Sequence, residues 1–298
     1  MKRVLVIGAT GLIGSRFVEL AKNIFEIIPV DEKVLDITNQ QAVEEYFSTT
    51  QLDAVVNFAA FTNVDAAEKE RNDTKGLCYK LNVTGVENLA YASKKYNKFL
   101  VQISTDFVFS GTTDNPGPYD ELSPVPYELL PSMGWYGWTK KEAEVKIENA
   151  RAKSAIVRIV YPFSFGKYDL KLDYAKNFLK LYDDGKLFPI FTDQTITLLY
   201  IEDLINPLSK ILEEELQGIF HIVSSDIATP FDFVEYLLSK ARNVEGVVKK
   251  GSMEEFLKTP GRTPRPRLGG LKTEITQQKL EMKFRTWREM VDEFASKL

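Results

Sequence analysis

The chain has 298 residues, 44% of them hydrophobic, enough for one large core or two smaller ones. Its net charge of −4, with acids and bases interspersed, argues against nucleic acid or an anionic membrane as the main partner. One cysteine, Cys78, and one histidine, His221, exclude an internal disulfide, a thiolate cluster and a multi-histidine metal site. No apolar run reaches membrane-spanning length, and Val4–Ile7 is too short for a signal peptide, so a soluble cytoplasmic protein is expected.

The chain opens with an apolar, β-branched stretch that reads as a buried strand, 3–7. Gly8, Gly11 and Gly14 follow at three-residue spacing and lead into a helical pattern over 12–22. A strand that breaks at glycine and opens a helix directs backbone N–H groups and the positive end of the helix dipole at one place, an anion site. Gly8 suits the tight turn, Gly11 the close approach of a pyrophosphate and Gly14 the packing of helix on strand. A ligand-free βα turn is the plainer alternative.

Further strands are expected at 26–30, 53–58, 99–104 and 155–160, with helical patterns over 39–48, 74–96 and 137–151. This alternation predicts an α/β fold, a doubly wound parallel sheet of Rossmann type whose ligands sit at the carboxyl ends of the strands. Residues 1–160 form the expected dinucleotide-binding domain. Residues 161–298 form a smaller substrate-binding lobe, with strands from about 190–225 returning to the sheet.

The strand ends therefore matter most. Asp31 closes the second strand, where a carboxylate accepts hydrogen bonds from an adenosine ribose and repels a 2′-phosphate; nearby Lys33 keeps NADP open beside NAD. Asp36 or Thr38 caps the next helix or touches adenine. After the third strand, Ala59 and Ala60 let a flat ligand lie against the backbone. The acids of the following loop, Asp65 and Glu68, read as helix caps. Asn82 lies in a helical stretch where asparagine gains nothing by propensity, and is either exposed or bonded to a neighbouring strand end. The fourth strand delivers Ser104, Thr105 and Asp106, which suit a turn or a catalytic site.

Residues 111–131 read as a long excursion rich in proline and glycine. Tyr136 and Lys140 then stand one turn apart on one helix face. Tyr91/Lys95, Tyr182/Lys186 and Tyr236/Lys240 share the spacing, so position after Thr105, not the pattern, selects the pair. Beyond residue 160 the alternation loosens, with strands expected at Phe188–Phe191 and Ile219–Ile222; His221 is expected to be a packed strand residue. Arg262, Arg265 and Arg267 lie in a basic loop, either a phosphate clamp or a solvated surface.

Taken together, these residues resemble the extended short-chain dehydrogenase/reductase superfamily, and within it the dTDP-4-dehydrorhamnose reductase family. The resemblance spans the chain: G-A-T-G-L-I-G at 8–14, D-I-T at 36–38, V-V-N-F-A-A-F-T-N-V-D-A-A-E at 55–68, L-N-V-T-G-V-E-N-L-A at 81–90, Q-I-S-T-D-F-V-F-S-G at 102–111, P-Y-D-E at 118–121, Y-G-W-T-K-K-E-A-E at 136–144, T-D-Q at 192–194 and R-P-R at 265–267. It implies NAD(P)H-dependent reduction of the 4-keto group of a nucleotide-diphosphate 6-deoxy sugar, a step of dTDP-rhamnose biosynthesis. Thr105, Tyr136 and Lys140 are the implied catalytic set, with Tyr136 the acid/base and Lys140 the cation that grips the nicotinamide ribose. Implied cofactor contacts run from Gly8 through Thr10, Gly11, Leu12 and Ile13 to Gly14, and include Asp31, Asp36, Ile37, Ala59, Ala60, Asn82, Tyr136 and Lys140. Thr105, Asp106, Phe107, Tyr136 and Arg265 are the implied substrate contacts. No metal is implied, and a homodimer is left open.

The chain departs from the family pattern after Asp193-Gln194, which continues Thr195-Ile196-Thr197-Leu198; after Arg267, as Leu268-Gly269-Gly270; and at Tyr161–Gly166. Two other functions stand beside the reductase: a nucleotide-sugar epimerase of the same superfamily, and a non-catalytic dinucleotide-binding regulatory subunit like that of methionine adenosyltransferase. Asp106 is followed by Phe107 rather than a second acid, which argues against a dehydratase.

Overall fold

The computed structural model describes residues 1–126, 129, 132–168 and 171–298; part of the 111–131 excursion thus lies outside the described residues. The chain divides into two compact units. The first comprises Met1–Val108, Met133–Arg158 and Ile205–Phe220; the second comprises Phe109–Ser132, Ile159–Leu204 and His221–Leu298.

The first unit is built on a sheet whose strands are β1 (Arg3–Ile7), β2 (Glu26–Val30), β3 (Ala54–Asn57), β4 (Phe99–Thr105), β5 (Ser154–Ile159) and, far along the chain, β9 (Gly218–His221). Their spatial order is β2-β1-β3-β4-β5-β9. Strands β2, β1, β3 and β4 pair in parallel, with Ile7 opposite both Val30 and Asn57, and Asn57 opposite Gln102. The order reverses between β1 and β3, and the carboxyl ends there open a crevice.

Between the strands run α1 (Leu12–Ala21), α2 (Gln40–Thr49), α3 (Val64–Lys69), α4 (Leu77–Tyr79), α5 (Gly85–Lys95), α6 (Trp135–Ala150) and, before β9, α8 (Ile205–Glu214). Helices α4 and α5 are joined by a π-helical turn, Lys80–Thr84, within the stretch expected to be one regular helix. Strands β1, β3 and β4 bury Leu5, Ile7, Val55 and Leu100, which form one cluster with Val86 and Leu89 of α5 and Ala143 and Ile147 of α6. Such long apolar strands with both faces covered are what parallel sheets require.

The second unit contains β6 (Pro162–Phe163), α7 (Tyr174–Asp183), β7 (Ile190–Phe191), β8 (Leu199–Tyr200), α9 (Pro230–Arg242), β10 (Lys250–Gly251), α10 (Met253–Lys258), α11 (Glu274–Leu280) and α12 (Trp287–Ser296). Its core contains an aromatic cluster: Phe163 contacts Tyr200, Phe233 and Phe294 at ring-centroid distances of 5.4–5.7 Å. The strand expected at Phe188–Phe191 is reduced to Ile190–Phe191, paired with β10, and β8 pairs with β6. Pro189 has no N–H to offer a ladder. His221 is buried, its Nδ1 2.8 Å from the Lys272 carbonyl oxygen, as a packed strand histidine.

Candidate active site

At the end of β1, Gly8 has φ of +73°, a left-handed value that disfavours any side chain. A Cβ on Gly8 would lie 2.7 Å from the Ala59 nitrogen, and one on Gly14 only 2.2 Å from the Gly8 carbonyl oxygen. Strand, helix and the β3 end therefore meet backbone to backbone. Gly11 differs: a Cβ there meets nothing within 4 Å but that same oxygen, at 3.2 Å. It is also the N-cap of α1, and no side chain caps the helix. A cradle that one methyl group would fill, at an uncapped helix start, fits the pyrophosphate of a dinucleotide.

Asp31 Oδ1 accepts from the Lys33 and Val34 backbone N–H groups, at 3.0 and 3.2 Å, so the carboxylate is oriented by its own turn. The cap of α2 is Asn39, whose side chain accepts from the Ala42 N–H; neither Asp36 nor Thr38 serves. Asp36 instead accepts from the Thr38 backbone and hydroxyl, a local turn that moves the helix start one residue on. The Ile37 carbonyl receives the Asn88 side chain at 2.9 Å, tying this loop to α5.

Asn82 is fully buried and bonded rather than exposed. Its side-chain oxygen accepts from the Phe61 N–H at 2.8 Å, and its nitrogen donates to the Phe61 carbonyl at 3.2 Å and the Thr139 hydroxyl at 3.0 Å. It thereby holds the loop after β3, which follows Ala59 and Ala60, against α6. Asn57 and Gln102, which the sequence did not single out, bond across β3 and β4 at 2.9 Å, and Asn57 also receives the Ala59 N–H.

Helix α6 starts at Trp135, two residues earlier than the pattern suggests, with Gly134 as an N-cap that lacks a side chain. Its first N–H is met instead by Glu68, whose carboxylate accepts from Trp135 N at 2.8 Å. The expected capping acid thus serves a distant helix. Gly137 lets α6 touch the turn after β4, since a Cβ there would lie 2.0 Å from the Phe107 carbonyl oxygen. Sequence reading had no signal for that contact.

This packing brings Thr105, Tyr136 and Lys140 together. The Thr105 side chain lies close enough to the Tyr136 phenol to act on its proton, and the Phe107 ring meets Tyr136 edge-on at 5.7 Å. Burial raises the Tyr136 phenol well above its ordinary value; Asp106 and Cys78 add to this and the Thr105 hydroxyl opposes it, so the proton stays on the oxygen. Lys140 is buried and donates to the Ile103 carbonyl at 2.7 Å. Burial pushes its ammonium down to about 8, against the attraction of Glu144 and Cys78. Cys78 is itself pushed up to about 11, chiefly by burial, and remains a thiol.

In the second unit, Gly111, Gln194 and the basic loop form one junction. The Arg267 and Leu268 N–H groups donate to the Gly111 carbonyl, and Gln194 Nε2 donates to the Pro266 carbonyl at 3.0 Å. Arg265 is half-buried within this loop, Arg267 lies 4.0 Å from Glu254, and Arg262 sits over the Phe256 ring. Among the described residues no helix is long and apolar enough to cross a membrane, and no group of three or more His, Cys, Asp or Glu is placed to hold a metal ion.

Proteins with a doubly wound sheet and a glycine cradle after its first strand form the Rossmann-type dinucleotide-binding class, and this chain is one of them. The family model described as RmlD substrate binding domain matches residues 1–298, and the chain belongs to that family. The spore coat polysaccharide biosynthesis protein SpsK of Bacillus subtilis is 28% identical over 295 residues, 99% of this chain and 97% of its own length. The dTDP-4-dehydrorhamnose reductase of Aggregatibacter actinomycetemcomitans is 28% identical over 249 residues, 81% of this chain and 80% of that protein. The crystal structure of dTDP-4-dehydrorhamnose reductase from Bacillus anthracis in complex with NADP matches with a TM-score of 0.86 and 29% identity, covering 100% of this chain and 99% of that one.

Proposed function

We propose that this chain reduces the 4-keto group of a nucleotide-diphosphate 6-deoxy sugar, as the dTDP-4-dehydrorhamnose reductases it resembles do, with NADP or NAD as the coenzyme. The carrying observation is Thr105 beside Tyr136 with Lys140 one turn along the same helix, in a unit that also holds the glycine cradle. Relatives named as reductases favour reduction over the epimerase and the regulatory subunit.

When bound, the nicotinamide supplies the hydride. Gly8, Thr10, Gly11, Leu12, Ile13 and Gly14 hold the diphosphate, and Asp31, with Lys33 beside it, takes the adenosine ribose. Asp36, Ile37, Ala59 and Ala60 line the base and the strand ends, with Asn82 fixing the loop that follows. Lys140 offers its ammonium to the nicotinamide ribose. Tyr136 keeps its proton until negative charge develops on the sugar oxygen, then donates it, while Thr105 hydrogen-bonds that oxygen. Asp106, Phe107 and Arg265 are assigned to the substrate. The first unit is the dinucleotide-binding domain and the second supplies sugar-nucleotide contacts; the protein acts in the cytoplasm.

The test is to mix the protein with NADPH or NADH and dTDP-4-dehydrorhamnose and to follow nicotinamide absorbance. Coenzyme consumption that Tyr136→Phe abolishes supports the reading. Tight coenzyme binding without consumption across a panel of nucleotide-linked 4-keto sugars overturns it.

A further inference from the structure

Glu144 is buried eight residues after Tyr136 and four after Lys140, so the three side chains follow one another on a single face of α6. Each reaches the carboxyl end of β4. Tyr136 lies beside Thr105, Lys140 bonds the Ile103 carbonyl, and Glu144 Oε1 accepts from the Ser104 hydroxyl at 2.7 Å. Three consecutive strand residues therefore hold three consecutive turns of the helix.

The carboxylate is also clamped from β5. Arg158, itself fully buried, donates through Nε to Oε1 at 2.9 Å and through Nη2 to Oε2 at 2.7 Å. Lys141 Nζ lies 3.5 Å from Oε2. A bidentate guanidinium leaves a carboxylate little freedom to rotate or shift. Burial works against the Glu144 charge, yet Arg158, Lys141 and Ser104 together hold its pKa below the usual carboxylate value.

We infer that Glu144, clamped by Arg158, is a positioning residue: it sets the register of α6 on β4, so that Tyr136 meets Thr105, and keeps a negative charge one turn from the Lys140 ammonium. The inference rests on the proposed roles of Tyr136 and Lys140. The titratable groups acting on that ammonium are Glu144 on its own helix and Cys78 on α4; from β4 it meets the neutral Ile103 carbonyl. Glu144 is the one carboxylate among them, and its attraction opposes the loss of the Lys140 proton.

Glu144→Gln keeps the shape and removes the charge, but leaves the Arg158 guanidinium buried without its counter-ion. Glu144→Gln/Arg158→Met removes both charges, a replacement that buried pairs commonly tolerate. Ser104→Ala removes only the strand hydroxyl. NADPH binding by each variant is titrated by fluorescence from pH 6 to 10, and kcat and KM for dTDP-4-dehydrorhamnose are measured over the same range.

In both Glu144 variants the alkaline loss of NADPH affinity is expected to move about one pH unit lower. Their kcat should fall about tenfold or more, with KM for the sugar changing less than about threefold. Ser104→Ala should lower kcat about threefold without moving the pH midpoint. An unmoved midpoint and a kcat within about twofold of the parent, in a double variant with native circular dichroism, overturn the inference. Lys140→Met separates the two levels. If the alkaline limb survives in that variant, the role given to Lys140 fails; if it vanishes there but stays put in the Glu144 variants, only the positioning claim fails.

Discussion

The Lys140 ammonium donates to the Ile103 carbonyl at 2.7 Å, so the cation on α6 is held by the backbone of the strand that also presents Thr105. The consequence is a charge that is correctly placed but weakly retained. Burial lowers its pKa to about 8, whereas an unfolded lysine titrates near ~10.4. Dinucleotide affinity should fall as pH rises through about 8, and Lys140→Met should bind more weakly at pH 7 and lose this dependence. Fold stability responds in the opposite sense. Between the two values the unfolded chain binds more protons, so the Lys140 contribution to stability grows as pH rises through that window. Dissociation constants for NADPH and melting temperatures at pH 7 and pH 10, in parent and variant, check both signs.

Tyr136→Phe should lower kcat by about 10²–10⁴-fold, the span expected for losing a general acid, while leaving NADPH binding nearly intact. Thr105→Val should lower kcat about tenfold or more, because it removes the hydroxyl beside Tyr136 that is proposed to bond the sugar oxygen and leaves the helix in place. Steady-state kinetics with parallel binding titrations separate these outcomes. Equal losses in binding and turnover would contradict them.

Two glycines of one motif should fail differently. Gly14→Ala puts a Cβ 2.2 Å from the Gly8 carbonyl oxygen and forces α1 away from β1, so the folded yield and melting temperature should both drop. Gly11→Ala needs a shift of only a few tenths of an ångström and should fold, yet lose NADPH affinity about tenfold or more through the filled cradle. Thermal melts and coenzyme titrations on the two proteins distinguish a packing glycine from a ligand glycine.

Asn82→Ala removes four hydrogen bonds, one of them the longer bond to Cys78 Sγ, and leaves the Phe61 N–H and carbonyl without that partner. A cost of about 1–3 kcal/mol in unfolding free energy is expected. Urea denaturation measures it, and a change below about 0.5 kcal/mol would argue that the loop is held by other contacts.

The α/β class was legible because strands such as Val4–Ile7 and Phe99–Val101 are apolar runs bounded by glycine or polar residues, and each alternates with a helical period. The Tyr136/Lys140 pair was legible through its place in chain order, since its spacing recurs elsewhere. Long-range partners were not. Arg158 falls inside the expected strand 155–160 with nothing nearby in sequence to pair it, and only the fold sets it against Glu144. Glu68 reads as a cap for its own loop, and caps α6 instead. Gly137 carries no turn signal, because its role is to let two backbones touch. Beyond residue 160 the strands have only two residues each until β9, too few for a period-two pattern to register.

The wide turn Lys80–Thr84 has a consequence for insertions and deletions. An extra residue in one helical turn advances everything after it by about 100° around the axis relative to an unbroken α-helix. Asn82, within the turn, reaches the Phe61 loop and Thr139, whereas Asn88, beyond it, reaches the Ile37 carbonyl. Six residues apart, the two asparagines would face different sides even of an unbroken α-helix, and each serves a different loop. Removing one residue here would close the wide turn to a regular one and leave α5 in place, so the segment absorbs a single-residue change of length while one helix goes on holding both the Phe61 and the Ile37 loops.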